Sequence, residues 1–96
     1  MTQRTFAAIA FHYPRPEHRS EWIEVMNQVR ARLGVPGRID QTGYADLKTG
    51  RLVAISRWES REALEAVIGA AIEGAAALDR KWADTPTEVF LLEELT

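Results

Sequence analysis

The residues of this chain that could carry chemistry are few, and a histidine followed by a tyrosine comes first among them. His12 and Tyr13 end the hydrophobic stretch at residues 5–13, TFAAIAFHY. An imidazole exchanges its proton near neutral pH, so His12 could act as a base, and the phenol of Tyr13 could assist in removing a proton. The alternative for His12 is a structural role, as a hydrogen-bonded histidine at the end of a strand.

Aromatic side chains suggest a second kind of chemistry, the binding of a flat molecule. Trp58 and Trp22 could form the walls of a pocket that excludes water, with Ser56 and Tyr44 as polar contacts to a phenolic ligand. Both tryptophans have a structural alternative, because a large ring at a strand end or on a helix packs well without a ligand. Trp82 is expected to close the end of the second helix. The sequence leaves open whether these rings bind a small molecule or fill a core.

Composition argues against several other kinds of site. The chain has no cysteine, which excludes disulfides, thiolate metal ligands and cysteine nucleophiles. Its two histidines, His12 and His18, have no nearby carboxylate at the spacing of metal ligands. The sequence also contains no serine triad and no phosphate-binding loop. We therefore expect no metal.

Length and charge restrict the partners that the chain is expected to have. Its 96 residues make one domain, residues 1–96, and a chain this short gains buried area by association. The net charge is −2 and the basic residues form no stripe, so no nucleic-acid partner is expected. No apolar run is long enough to cross a membrane, and the N-terminus does not resemble a signal peptide, so we expect the cytoplasm.

Hydrophobic spacing predicts the elements that position these residues. Apolar residues on both alternating faces of TFAAIAFHY are typical of a central strand. Ser60 is a suitable cap for a second amphipathic helix, and Gly74 is expected to break that helix. The predicted strands are residues 5–13, 38–46, 52–58 and 88–95, the predicted helices are residues 17–33, 60–74 and 75–82, and residues 84–86 form a predicted turn.

The order β-α-β-β-α-β predicts a ferredoxin-like α+β fold. In that fold, right-handed crossovers place both helices on one face of a four-stranded antiparallel sheet. The other sheet face is left uncovered, although the first, third and last strands are apolar on both faces. A second copy packed sheet to sheet is the simplest cover, so a homodimer is expected.

Several short motifs resemble those of one known family. The run W-E-S-R-E-A-L at residues 58–64 follows a hairpin strand and opens the second helix. Pro16-Glu17-His18 introduces the first helix, Pro36-Gly37 forms a turn before the hairpin, and the last strand follows Pro86. Together these motifs resemble the antibiotic biosynthesis monooxygenase (ABM) domains over most of the chain. The resemblance implies a dimeric α/β barrel with a pocket in each subunit, lined by the tryptophan at position 58.

The resemblance also implies an activity. Haem-degrading members use an asparagine on the first strand and a histidine on the second helix, and this chain has neither, so no haem or other cofactor is expected. We predict a cofactor-independent monooxygenase for an aromatic molecule such as a polycyclic phenol or quinol, with His12 or Tyr13 assisting proton removal. Two alternatives stay open, a non-catalytic dimer that binds a small molecule and a purely structural dimer.

Overall fold

The strands and helices follow the predicted β-α-β-β-α-β order, with differences in their ends and in the second half of the chain. The computed structural model describes residues 4–95. Its elements are β1 (Phe6–Pro14), a single 3₁₀ turn (Pro16–His18), α1 (Arg19–Ala31), β2 (Arg38–Ala45), β3 (Leu52–Trp58), α2 (Arg61–Trp82) and β4 (Ala83–Glu93). Within these residues no helix is long and apolar enough to cross a membrane.

The four strands form one antiparallel sheet in the order β2-β3-β1-β4. The two central strands are β1 and β3, and Ile9 on β1 pairs with Ile55 on one side and Phe90 on the other. Each helix connects two strands that are not neighbours, as the crossovers of a ferredoxin-like unit require. The predicted α+β fold class is therefore confirmed.

The inner face of the sheet carries the core. Ala8 and Trp58 pack there against Leu64 of α2, and His12 packs against Trp22 of α1. All five residues are buried, and Trp22 is only 1% exposed. His12 lies on the same, helix-facing side of β1 as Ala8, because alternate residues of a strand point to the same face.

The predicted break of the second helix at Gly74 is wrong. α2 is one continuous helix of 22 residues, and the predicted short helix at residues 75–82 is its last part. Gly69 and Gly74 both face open space, so neither is needed for close packing. Each glycine costs about 1 kcal/mol relative to alanine, but continuing a helix adds one hydrogen bond per residue, whereas restarting one requires a new nucleus.

The predicted turn at residues 84–86 is also wrong, because β4 begins at Ala83 directly after α2. Thr85 pairs with Tyr13, and Ala83 pairs with Pro14, so pairing with β1 extends the strand through Pro86. The register shifts in this part of β4, and β4 is an edge strand. Edge strands and bulges are the places where a sheet accepts proline, which has no N–H to donate.

The start of α2 is fixed by a cap and by a close contact. The Ser60 hydroxyl accepts a hydrogen bond from the Ala63 N–H at 3.1 Å, as the capping prediction required. Gly37 has φ +76°, and a Cβ added there would lie 2.4 Å from the Cβ of Ala63. Glycine at position 37 therefore permits both the left-handed turn before β2 and the close approach of that turn to the helix.

The outer sheet face is apolar along its middle and is not covered by either helix. By the pairing register, this face carries Ile9, Phe11, Val53, Ile55, Phe90 and Leu92. The rings of Phe11 and Phe90 make an edge contact at 6.0 Å between centroids. Towards one end, Arg57 pairs with Asp40, so the apolar strip is bordered by charge. We call this surface the outer face.

Candidate functional site

His12 belongs to a hydrogen-bonded chain that joins three elements. Its Nδ1 lies 2.9 Å from the hydroxyl oxygen of Thr87 on β4. Thr87 donates that hydroxyl proton to Asp79 Oδ1 of α2 at 3.0 Å, and its backbone N–H donates to Oδ2 at 2.8 Å. Since the hydroxyl has one proton and gives it to Asp79, His12 must donate from Nδ1. The neutral imidazole then leaves Nε2 as a proton acceptor.

Burial keeps this imidazole neutral. The loss of hydration lowers the pKa of His12 to about 4, against an opposing contribution from the Asp79 carboxylate. Within residues 4–95 no side-chain nitrogen or oxygen is both buried and without a partner. Nε2 of His12 has no hydrogen-bond partner there, so it keeps contact with solvent. His12 can therefore accept a proton, although with little driving force at neutral pH.

A row of aromatic rings surrounds His12. Its ring centroid lies 4.9 Å from that of Trp22, which makes an edge contact at 6.1 Å with Trp82. Trp82 in turn stacks on His18 at 5.9 Å. Trp82 closes the end of α2 as predicted. Trp22 is packed inside this row, so the structural alternative describes its surroundings better than a pocket wall does.

Trp58 and Ser56 are brought together, but in the core. The indole Nε1–H of Trp58 donates to the Ser56 hydroxyl at 2.9 Å. Trp58 is 3% exposed and packs against Ala8 and Leu64. Neither Trp58 nor Ser56 lines the cavity between α1 and β2 or the cavity beside Phe6 and Leu92. The space beside Trp58 is therefore filled by protein, and these two residues stay predicted ligand contacts.

The two tyrosines lie away from His12. Tyr13 follows His12 on β1 and points to the opposite face, where its hydroxyl hydrogen-bonds with Glu88 and accepts from Arg51 at 3.3 Å. Tyr44 on β2 is 57% exposed. The structure does not bring Tyr13 and His12 into one site within a protomer.

A cavity of about 310 Å³ lies between α1 and β2. We call it the α1–β2 cleft. It is lined by Arg19, Ile23, Met26, Asn27 and Arg30 of α1, by Thr42, Gly43, Tyr44 and Ala45 of β2, and by Leu52 of β3. Leu52 is the neighbour of His12 in the sheet, so the inner end of the cleft lies one side chain away from the imidazole. Tyr44 is the one predicted contact residue that lines it.

Sequence reasoning missed Asp79, Thr87 and the cleft. Asp79 had a recognisable signal, because it lies four residues after Ala75 on the otherwise apolar stripe of α2. An acidic residue at such a position requires a buried partner. The partner Thr87 had no signal, since it lies between the predicted turn and the predicted last strand. Within residues 4–95 no three potential ligand side chains are grouped so that they could hold a metal ion.

The stretch from β1 into α2 matches a known protein family. The family profile of the antibiotic biosynthesis monooxygenases matches residues 5–68, from β1 into α2. The chain belongs to the antibiotic biosynthesis monooxygenase family. The ABM match ends before Asp79 and Thr87, so the partners of His12 lie outside it. A comparison with curated proteins gives no match.

Solved structures share the ABM fold of this chain. Rv0793 from Mycobacterium tuberculosis is 24% identical, with a TM-score of 0.80 and 96% of each chain covered. A conserved protein from Methanosarcina mazei Go1 is 18% identical, with a TM-score of 0.77 and coverage of 94% of this chain and 92% of that one. PA3566 from Pseudomonas aeruginosa is 15% identical, with a TM-score of 0.71 and coverage of 100% and 99%. At these identities the likeness shows the fold alone.

Proposed function

We propose that this ABM-family protein is a cofactor-independent monooxygenase that oxidises an aromatic molecule of the polycyclic phenol or quinol type. The observation that carries the proposal is the arrangement of His12, a neutral imidazole held by Thr87 and Asp79 with Nε2 free to accept a proton. The family membership supports the oxygenase class. The α1–β2 cleft supplies space for a substrate beside Leu52, the sheet neighbour of His12.

The proposed reaction needs no redox group from the protein. Removal of a proton from the substrate gives an electron-rich anion, which can pass an electron to molecular oxygen. The reduced oxygen then combines with the oxidised substrate, and loss of water converts a ring CH₂ group and O₂ into C=O and H₂O. The substrate itself therefore supplies the two electrons that reduce the second oxygen atom to water. The protein contributes the base, the orientation of the ring and exclusion of water. Geometry favours His12 over Tyr13 as the base, since Tyr13 points to the outer face.

We also propose that the outer face pairs with that of a second copy. The apolar strip from Ile9 to Phe90 lies on a sheet whose other side is already packed against the helices. Water contact with such a strip is unfavourable by roughly 25 cal/mol for each Å² of apolar area. Sheet-to-sheet packing would cover the strip in both copies by the same contact, as a two-fold dimer requires.

A second candidate function is a non-catalytic dimer that binds a small molecule. It is favoured by the filled core around Trp58 and by the low basicity that burial imposes on His12. In that case the α1–β2 cleft would still bind a ligand, but no oxygen would be consumed. The two candidates therefore differ in turnover and not in binding.

Oxygen uptake by the purified chain with a hydroxyanthrone as substrate tests the proposal. His12→Asn should lower the rate at least about 100-fold, the range expected for loss of a general base. The matched control is His18→Asn, which removes a half-buried histidine that lies outside the hydrogen-bonded chain of His12, and it should leave the rate unchanged. Circular dichroism must show that both variants are folded. Binding of the phenol without oxygen uptake by the unmodified protein would instead support the non-catalytic dimer.

A further inference from the structure

The hydrogen bonds that join Asp79, Thr87 and His12 can run in only one direction. A carboxylate has no proton to give, so Asp79 can only accept. It accepts from Thr87 at both oxygens, from the backbone N–H at 2.8 Å and from the hydroxyl at 3.0 Å. The Thr87 oxygen lies 2.9 Å from Nδ1 of His12, and it can only accept there because its proton is already given away. The carboxylate at one end therefore determines which imidazole nitrogen is protonated at the other end.

Reversal of these hydrogen bonds would be unfavourable because Asp79 and His12 are both buried. If the Thr87 hydroxyl donated to Nδ1, Oδ1 of Asp79 would face the lone pairs of the hydroxyl oxygen at 3.0 Å with no proton between them. A buried charged acceptor without a donor is among the costliest arrangements in a protein interior. The tautomer with its proton on Nε2 should therefore make up less than about a tenth of the neutral histidine.

A purely structural role does not explain why position 79 is acidic. Asp79 lies in the last turn of α2, where the negative end of the helix dipole disfavours a carboxylate. An asparagine there could join α2 to β4 equally well, because its carbonyl accepts from the Thr87 N–H and its amide donates to the Thr87 hydroxyl. An asparagine would not force that hydroxyl to donate. The acidic side chain is therefore needed for the direction of the hydrogen bonds and not for their number.

The same hydrogen bonds orient the imidazole ring. Nδ1 of His12 is held by Thr87 on β4, and one face of the ring packs against Trp22 at 4.9 Å. The two nitrogens of an imidazole point to opposite sides of the ring, so Nε2 is directed away from β4. Asp79 and Thr87 both lie outside residues 5–68, which the family profile matches, so this arrangement does not follow from membership of the ABM family.

We propose that Asp79 is a positioning residue, which acts through the Thr87 hydroxyl to keep the proton of His12 on Nδ1 and to leave Nε2 free to accept. Asp79 itself touches no substrate. The inference rests on the proposed function only where the free Nε2 takes a proton from a substrate. The tautomer is a property of the resting protein and needs neither substrate nor oxygen.

Nitrogen NMR of the isotope-labelled protein near neutral pH identifies the tautomer directly. His12 is neutral there, since its pKa in the folded protein is about 4. The protonated and unprotonated nitrogens of a neutral imidazole resonate far apart, and their couplings to the ring protons distinguish Nδ1 from Nε2. The unmodified protein should carry the proton on Nδ1. Asp79→Asn should move it to Nε2, because the new amide donates to the Thr87 hydroxyl, which then donates to Nδ1.

The matched control is Asp84→Asn, which neutralises an exposed carboxylate of β4 that pairs with Arg15 and should leave the proton on Nδ1. Two substitutions of Thr87 keep the test valid if Asp79→Asn does not fold. Thr87→Ser retains the hydroxyl and should keep the proton on Nδ1, whereas Thr87→Val removes the hydroxyl and should give a mixture of both tautomers. A proton on Nε2 in the unmodified protein, an Nδ1 proton unmoved by Asp79→Asn, or equal tautomers in the two Thr87 variants would overturn the inference.

Oxygen uptake distinguishes a failure of this inference from a failure of the proposed function. If the unmodified protein oxidises the hydroxyanthrone, Asp79→Asn should lower the rate at least about 100-fold, as loss of the base does, and Thr87→Ser should retain most of the rate. The expected tautomers in a protein that consumes no oxygen would uphold Asp79 as the residue that sets the tautomer and would remove the monooxygenase. A rate that Asp79→Asn leaves unchanged, although the proton has moved to Nε2, would exclude His12 as the base and overturn the role of Asp79 in the reaction.

Discussion

Lowering the pH should destabilise this fold through His12. In the folded chain burial holds the pKa of His12 at about 4, whereas its ordinary value is 6.5. Between these two values the unfolded chain binds more protons than the folded chain, so the free energy of unfolding falls as the pH falls. The contribution is fully present above pH 6.5 and is lost progressively until the pH reaches about 4.

The size of the loss follows from the two pKa values. A full shift of this size corresponds to about 3 kcal/mol, and the part lost between about pH 7.5 and about pH 4.5 is about 2.5 kcal/mol. Many domains have only 5–15 kcal/mol of stability in total, so such a change is readily measured. Protonation would also place a charge against Trp22, with Asp79 as the nearest compensating group through Thr87.

Urea denaturation followed by far-ultraviolet circular dichroism measures this effect. His12→Asn provides the matched variant, because an amide can still donate to Thr87 but does not titrate. The variant is expected to be less stable at both pH values, since it leaves space beside Trp22, but to lose about 2.5 kcal/mol less on acidification. The carboxylates titrate equally in both proteins, so their contributions to the loss of stability cancel in the comparison. The protein concentration is kept constant because association would change the apparent stability. Equal losses in the two proteins would refute the buried, neutral histidine.

Four further substitutions, of which Gly50→Ala is a control, test a close contact, a helix cap and the association of two copies. Gly37→Ala should cost at least about 2 kcal/mol in denaturation, because its Cβ meets Ala63, whereas Gly50→Ala, with a similar φ of +77° but open space, should cost about 1 kcal/mol. Equal costs would show that the contact does not matter. Ser60→Ala should cost about 1 kcal/mol through loss of the α2 cap, and an unchanged midpoint would refute that role. Phe90→Arg should shift sedimentation from dimer to monomer with the circular dichroism retained, and a persisting dimer would exclude the outer face as the interface.

Much of the fold could be predicted because it depends on local patterns. The apolar stripe of α2, the Ser60 cap and the alternating faces of β1 are each set within a few residues of sequence. The element order then restricts the topology to a ferredoxin-like sheet. The errors arose where a local signal competed with tertiary pairing. Gly74 suggested a break that helix continuity overrode, and Pro86 suggested a turn although the edge of the sheet accepts it.

The candidate site was predictable only in part. The position of His12 on the inner face followed from alternation along β1, and the burial of Trp58 was one of two open alternatives. The separation of Tyr13 from His12 could have been predicted from the same alternation, because consecutive residues of a strand point to opposite faces. The sequence could not show that Ser56 would be occupied by the indole of Trp58 instead of a ligand.

By itself the sequence determined the order of the elements, the amphipathic helices and the absence of cysteine chemistry. Only the tertiary structure decided which polar groups meet. His12 and Thr87 are 75 residues apart in the sequence, and Asp79 lies between them. The contact among these three residues depends on the pairing of β4 with β1. The α1–β2 cleft likewise forms between elements that are brought together only in the folded chain. Contacts between distant residues arise from the packing of whole elements, which no local spacing of residues specifies.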